Sequence, residues 1–219
     1  MEKFFEVLRE CPLFYHIEDA DLLKMLGCLN PKIIQYNKNE TIIAAGENAK
    51  NIGIVLSGSA QVTQGDYLGN RNIVTVAGPA QMFAEAFACA GVEHLPVDVV
   101  SNESSEVMLV DCMKIIGTCS CNCKFHRQMI YNLMKDIAQK NISFHQRVEI
   151  TSKRSTREKL MAYLILQMQK TGENCFDIPF DRQALADYLG VERSGLSVEI
   201  SKLRKEGIIK CSKNHFEIL

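Results

Sequence analysis

Apolar and polar positions along the chain fall into three regimes. Over the first thirty residues apolar side chains recur at helical spacing, and Pro12 breaks the run, which predicts one or two short helices. From Lys32 to about Ile115 the pattern shortens to the runs IIQY, TIIAA, IGIVLSG, AQVTQ, IVTVAG, VDVVS and EVMLVD. Gly46, Gly58, Gly69, Gly78 and several Asn residues punctuate these runs. Many short strands with turn signals between them predict an antiparallel sandwich or barrel, with GDYLGN (65–70) as a hairpin tip.

From Lys124 to Glu149 the period becomes helical. Ile130, Met134, Ile137, Asn141, Phe144 and Val148 are spaced 4, 3, 4, 3 and 4, a heptad seam with Met134, Asn141 and Val148 at the a position. At ~1.5 Å per residue such a helix is about 39 Å long. Two readings stand: a core helix lying on the barrel, or a two-stranded dimer seam. Asn141 favours the second, because a lone polar a residue fixes register and strand number.

TSKRSTRE follows, with Ser155 as N-cap and Glu158 three residues on, a capping box. The helix it opens runs through MAYLILQMQK to Thr171-Gly172, and residues 150–154 are the expected domain boundary and hinge. CFDIPF reads as a short strand. DRQALADYLGVERSGLSVEISKLRKEG (181–207) reads as helix, tight turn and helix, and IIKCS and HFEIL form a hairpin about Lys213-Asn214. Helices followed by a small hairpin describe a winged helix-turn-helix. The chain is thus α+β, with a sensor domain over 1–123, a dimerisation helix and hinge over 124–150, and a winged domain over 151–219.

Within the helix pair, Asp181 is a good N-cap, Gly190 sits at the reversal and Gly207 closes the second helix. Leu185 and Leu189 give the first helix its buried face, and Leu196, Ile200 and Leu203 give the second. Arg193, Ser194, Ser197, Ser201, Lys202 and Arg204 are left largely outward, where short polar and Arg side chains can read base edges in a major groove. Arg182 and Gln183 can hold phosphates. Charge agrees with this. Residues 1–150 carry 13 Lys and Arg against 17 Asp and Glu, a balance of −4, and residues 151–219 carry 12 against 9, a balance of +3.

No apolar run approaches the roughly 18 residues of a membrane span, and the N-terminus lacks the basic, apolar and cleavage regions of a signal peptide. Nine cysteines, an odd number, in a chain large enough to fold on its core point to reduced thiols, and the expected location is cytoplasmic, with no membrane partner.

Over essentially its full length the sequence resembles the Crp/Fnr family of bacterial transcription regulators. The likeness rests on IIAAGENAKNIGIVLSGSAQV (42–62), with Gly46, Glu47 and Gly58 in the family's turn pattern, and on residues 181–207. It implies a double-stranded β-helix (β-roll or jelly roll) of the cyclic-nucleotide-binding type. It also implies a homodimer on a near-palindromic site in double-stranded DNA, acting on RNA polymerase. At the base-reading positions Arg193 is kept, Ser194 replaces an acid and Val198 replaces a second Arg, so a different half-site is expected, with thymine-methyl contact at Val198.

The family's phosphate-binding cassette carries Gly-Glu and then an Arg-Ser or Arg-Thr pair. In FAEAFACAGVEHLPVDVV (83–100), Glu85 is kept, Ala84 replaces the Gly, and Leu95-Pro96 stands in place of the Arg pair. His94 is a poor substitute, because it is mostly neutral. A buried cyclic phosphate without its Arg is uncompensated, so cyclic AMP and cyclic GMP are not the expected signal. The neighbourhood of Phe83, Ala84, Glu85, Phe87, Leu95 and Pro96 is either an apolar effector pocket or a filled one.

TCSCNCKFH (118–126) is a second candidate. Cys119, Cys121, Cys123 and His126 are ligands suited to zinc or an iron–sulfur cluster, or thiols for a redox switch, or buried and inert. For haem, His94, His126 and Cys89 are available axial ligands. No Gly-rich phosphate loop, catalytic Ser-His-Asp context or paired carboxylates suggest an enzyme. The expectation is a DNA-binding regulator under small-molecule, redox or metal control. The alternative is a ligand-sensing subunit whose C-terminal domain binds protein.

Overall fold

The structure, a computed structural model, describes residues 2–65, 71–117 and 124–219. They form two compact units, Met1–Ala138 and Gln139–Leu219.

The first unit opens with α1 (Phe5–Glu10) and α2 (Asp19–Leu29). Pro12 starts a 3-10 turn between them, where its missing N–H costs nothing. Eight strands follow among the described residues: β1 (Lys32–Tyr36), β2 (Thr41–Ile43), β3 (Asn51–Ser57), β4 (Ala60–Gly65), β5 (Arg71–Ala77), β6 (Met82–Phe83), β7 (Asp98–Ser101) and β8 (Ser105–Asp111). Helix α3 (Glu85–Cys89) lies between β6 and β7, and α4 (Cys112–Ile116) and α5 (Lys124–Thr151) come after β8. The strands make two antiparallel sheets, in the orders β1-β8-β3-β6 and β2-β7-β4-β5. That is the sandwich expected from the short apolar runs. β4 and β5 pair down to Gly65↔Arg71, while the tip expected at 66–70 lies outside the described residues.

Period-two alternation splits the core. Ile52, Ile54 and Leu56 of β3, with Met108 and Val110 of β8, pack under α1, α2, Met129 and Leu133. Val55 and Val107, on the opposite face, meet Val62, Ala77 and Val99 of the second sheet. Each such side chain contributes about 1.5–3 kcal/mol on burial. β6 escapes a periodic reading because it is two residues long. It joins β3 through Gly53↔Phe83, where the Phe83 ring occupies the space a Cβ on residue 53 would need.

The first part of α5 belongs to this core. Asn132 is buried and donates from Nδ2 to the carbonyls of Leu13 (3.0 Å) and Tyr15 (2.8 Å), and Gln128 donates to its Oδ1 (2.9 Å). The two units therefore divide within α5, not at its end as expected from sequence. Residues 152–155, before α6, are non-helical.

The second unit holds α6 (Thr156–Thr171), β9 (Cys175–Asp177), α7 (Arg182–Leu189), α8 (Arg193–Lys205), β10 (Ile209–Ser212) and β11 (His215–Ile218). Ser155 Oγ accepts from Glu158 N (3.1 Å), and the Glu158 carboxylate accepts from Ser155 N (3.1 Å), the reciprocal capping box. The three strands pair antiparallel in the order β10-β11-β9. Leu160, Leu164, Leu185, Leu189, Leu196, Leu203 and Phe216 form the core.

Candidate nucleic-acid interface

The helix pair is built from local rules. Asp181 caps α7, its Oδ1 accepting from Ala184 N at 2.8 Å. Gly190 turns the chain at φ 60°, a conformation in which a Cβ is strained, and α8 begins at Arg193. Leu196, Ile200 and Leu203 are buried in the unit's core. Arg193, Ser194, Ser197, Ser201, Lys202 and Arg204 are exposed, as their spacing predicts, and Val198 is 54% exposed although apolar. Basic residues Lys202, Arg204 and Lys205 occupy the last turn of α8.

Several side chains on this face already have partners. Ser197 Oγ donates to the Arg193 carbonyl (3.0 Å), and Lys202 pairs with Glu199 (2.6 Å). Gln183 Nε2 donates to Asp187 (2.9 Å), so it is held along its own helix. Arg182 donates to the Lys213 carbonyl (3.2 Å) and lies over the Phe216 ring (5.7 Å), which ties α7 to the β10–β11 turn. Lys213 stands at φ 54° in that turn. Arg182, Ser197, Ser201, Arg204 and Lys213 line a groove of ≈ 430 Å³ between α8 and the turn. Lys213 was missing from the sequence-derived contact set. The Lys213-Asn214 turn was readable, but its approach to α8 depends on the fold.

In the first unit, three of the expected effector residues are buried together. Phe83, Ala84 and Leu95 lie in one buried cluster between the sheets, with Phe87 packed against it and Pro96 exposed. Glu85 is buried at the start of α3. Ala84 is in the left-handed region, φ 61°, the conformation that suits glycine. His94 is exposed, its Nδ1 3.2 Å from the Gly46 carbonyl. From Asn72 to Met113 the sequence has no Lys or Arg, so this region offers no cation to a phosphate.

A Crp-like helix-turn-helix domain matches residues 158–219, and a cyclic nucleotide-binding domain matches residues 33–116. The chain belongs to the Crp/Fnr family of transcription regulators. This is a class of regulators and not of enzymes. A CRP-like cAMP-activated global transcriptional regulator of Mycobacterium tuberculosis is 26% identical over 36% of this chain, a match that spans 35% of that protein, about a third of its length. The transcriptional activator protein FnrL of Cereibacter sphaeroides is 22% identical over 80% of this chain and 71% of its own. Among solved structures, the c-di-GMP-responsive global regulator CLP of Xanthomonas campestris shares the fold at TM-score 0.58 and 11% identity, covering 91% of this chain and 99% of that one.

Two other sets of candidate residues in this Crp/Fnr chain have mixed placements. On α5, Met134, Asn141, Phe144 and Val148 are exposed, with Val148 at 63%, while Ile130 is half-buried and Ile137 packs partly on the first unit's core. Tyr131 and Ile142, absent from the heptad reading, are also exposed apolar residues of α5. Cys119, Cys121 and Cys123 lie outside the described residues. His126 is 9% exposed, and its Nε2 donates to the Lys114 carbonyl at 2.9 Å. Its Nδ1 is buried and has no hydrogen-bond partner among the described residues. Among the described residues no three His, Cys, Asp or Glu side chains gather as a metal site.

Proposed function

We propose that this protein is a homodimeric, sequence-specific regulator of transcription that reads double-stranded DNA with α8. The observation that carries this reading is the face of α8. Arg193, Ser194, Ser197 and Val198 are exposed at its start, and Lys202 and Arg204 at its end, beside a groove lined by Arg182 and Lys213. Short side chains at the start of a recognition helix suit base edges, and the flanking cations suit phosphates. Gln183 contributes a further phosphate contact once released from Asp187.

The exposed apolar stripe on α5 supports dimerisation, with Met134, Asn141, Phe144 and Val148 facing the same residues of a second copy. Two recognition helices about 34 Å apart then meet successive major grooves of a near-palindromic site. RNA polymerase is the partner through which binding alters transcription, and the cytoplasm is where it acts. Among the described residues no helix is long and apolar enough to cross a membrane.

The signal is not cyclic AMP in this account. Leu95 and Pro96 occupy the place of the cationic pair, no Lys or Arg lies between Asn72 and Met113, and Phe83, Ala84 and Leu95 are packed together. Two of the named relatives, one cAMP-activated and one c-di-GMP-responsive, differ in signal. Cys119, Cys121, Cys123 and His126 remain the candidate metal or redox input, and the buried Nδ1 of His126, without a hydrogen-bond partner among the described residues, supports a role for that side chain.

Selection from random duplexes tests the DNA reading. The wild-type protein should enrich one two-fold site, and Arg193→Ala should relax the preference at one base pair per half-site, at a cost of about 1–3 kcal/mol. Failure to enrich any site would favour a C-terminal domain that binds protein.

A further inference from the structure

A second constellation of chemical groups lies on the small sheet of the C-terminal unit, on side chains that the DNA reading does not use. β9 and β11 pair antiparallel with His215 opposite Asp177 and Glu217 opposite Cys175. Residues two apart on a strand share a face, so Cys175, Asp177, His215 and Glu217 stand together. His215 Nδ1 lies 2.9 Å from Asp177 Oδ1, and His215 Nε2 lies 3.0 Å from Cys175 Sγ.

A carboxylate can only accept, so Nδ1 carries the proton of the neutral ring and Nε2 presents its lone pair to the Cys175 thiol. The order is nucleophile, base, orienting carboxylate, the arrangement by which a thiol is activated. Glu217, the other acid facing Cys175, is bound by Lys210 Nζ, 3.2 Å from each carboxylate oxygen, so its charge is compensated. All three members are exposed.

Other described thiols contrast with it. Cys11 is buried. Cys89 and Cys112 face each other at 3.5 Å, and burial followed by that contact pushes the Cys112 thiol up to about 12. Burial also pushes Cys89 up. Cys28 is exposed on α2, and among the described residues no histidine is bonded to it.

We propose that Cys175, His215 and Asp177 form a reactive-thiol site that takes up a small-molecule disulfide by exchange. His215 Nε2 accepts the thiol proton, and Cys175 Sγ attacks one sulfur of RS–SR. The new Cys175–SR bond forms as the old S–S bond breaks, and the departing thiolate takes the proton from His215 and leaves as RSH. Asp177 holds the ring in the required tautomer and stabilises its transient positive charge. A free thiol reverses the reaction by the same route. The product is a thiolated Cys175 beside His215, the residue that follows the turn of Lys213 and Asn214.

The test is site-resolved labelling of the full chain with oxidised glutathione at neutral pH, read by peptide mass spectrometry over time. Cys175 should label at least about tenfold faster than Cys28, given an activating imidazole. His215→Gln should bring Cys175 down to the rate of Cys28, and Asp177→Asn should lower it part of the way, with Cys28 itself unchanged in both. The same pair of variants under a general alkylating probe should show the same order, which separates activation of the thiol from recognition of glutathione. Both substitutions are at exposed positions, and unchanged circular dichroism shows that the sheet is kept. Cys175 labelling no faster than Cys28, or as fast in His215→Gln as in wild type, would overturn the proposal. None of these readouts depends on DNA binding, so the two readings fail separately.

Discussion

Ser155 and Glu158 bind each other's backbone N–H at the start of α6, and a local pair of this kind has a measurable worth. Ser155→Ala should cost about 1 kcal/mol of stability, seen as a lower denaturant midpoint of the C-terminal unit. The hydrogen bonds from Ser155 hold the Glu158 carboxyl below its ordinary 4.5, and the hydrogen bond from Arg157 does the same for Glu206. A carboxyl depressed in the folded state adds stability that is complete above 4.5 and is lost as pH falls through the lower folded value. Glu158→Gln should therefore weaken the protein near pH 6 and flatten its loss of stability below pH ~4, measured by thermal unfolding across pH. The box at Ser155, the cap at Asp181 and the left-handed turn at Gly190 were all legible in sequence, because each is decided within three or four residues. Cys175 and His215 were not, because they are 40 residues apart and only the β9–β11 register brings them together.

At the scale of elements, β3 shows how packing fixes a strand partner. A Cβ on residue 53 would stand 2.0 Å from the Phe83 ring. Gly53→Ala should destabilise the first unit by about 1–3 kcal/mol through overpacking, and adding Phe83→Leu should recover part of the loss. Non-additive denaturation midpoints for the pair would establish the contact, and strict additivity would remove it. Seven of the strands followed from alternation of apolar runs, whereas β6 followed from nothing so regular, since two residues carry no period. The cassette was half legible in the same way. Leu95 and Pro96 announced the loss of the cationic pair, but that Phe83, Ala84 and Leu95 occupy one packed cluster depends on two sheets meeting. Helix α5 was legible as a helix, yet its first part is committed to the N-terminal core through Asn132, Met129 and Leu133, contacts no heptad count can reveal.

At the scale of the molecule, one chain carries an apolar sandwich, a long helix with exposed Met134, Phe144 and Val148, and a winged unit whose α8 presents short polar side chains and cations. Phe144→Glu with Val148→Glu places like charges where the stripe meets a second copy, and light scattering should then give half the wild-type mass with the C-terminal unit still folded. Unchanged mass would remove this stripe from the interface. The central claim is that α8 meets duplex DNA, and the salt dependence of binding tests it most directly. With phosphates neutralised by side chains such as Arg182, Lys202 and Arg204, log Kobs for a selected duplex should fall linearly with log[salt], by about 0.9 for each phosphate contact. Alanine at any one of these cations should reduce the slope by about 1. Binding that is flat in salt, or undetectable at low salt on every duplex, would contradict the account.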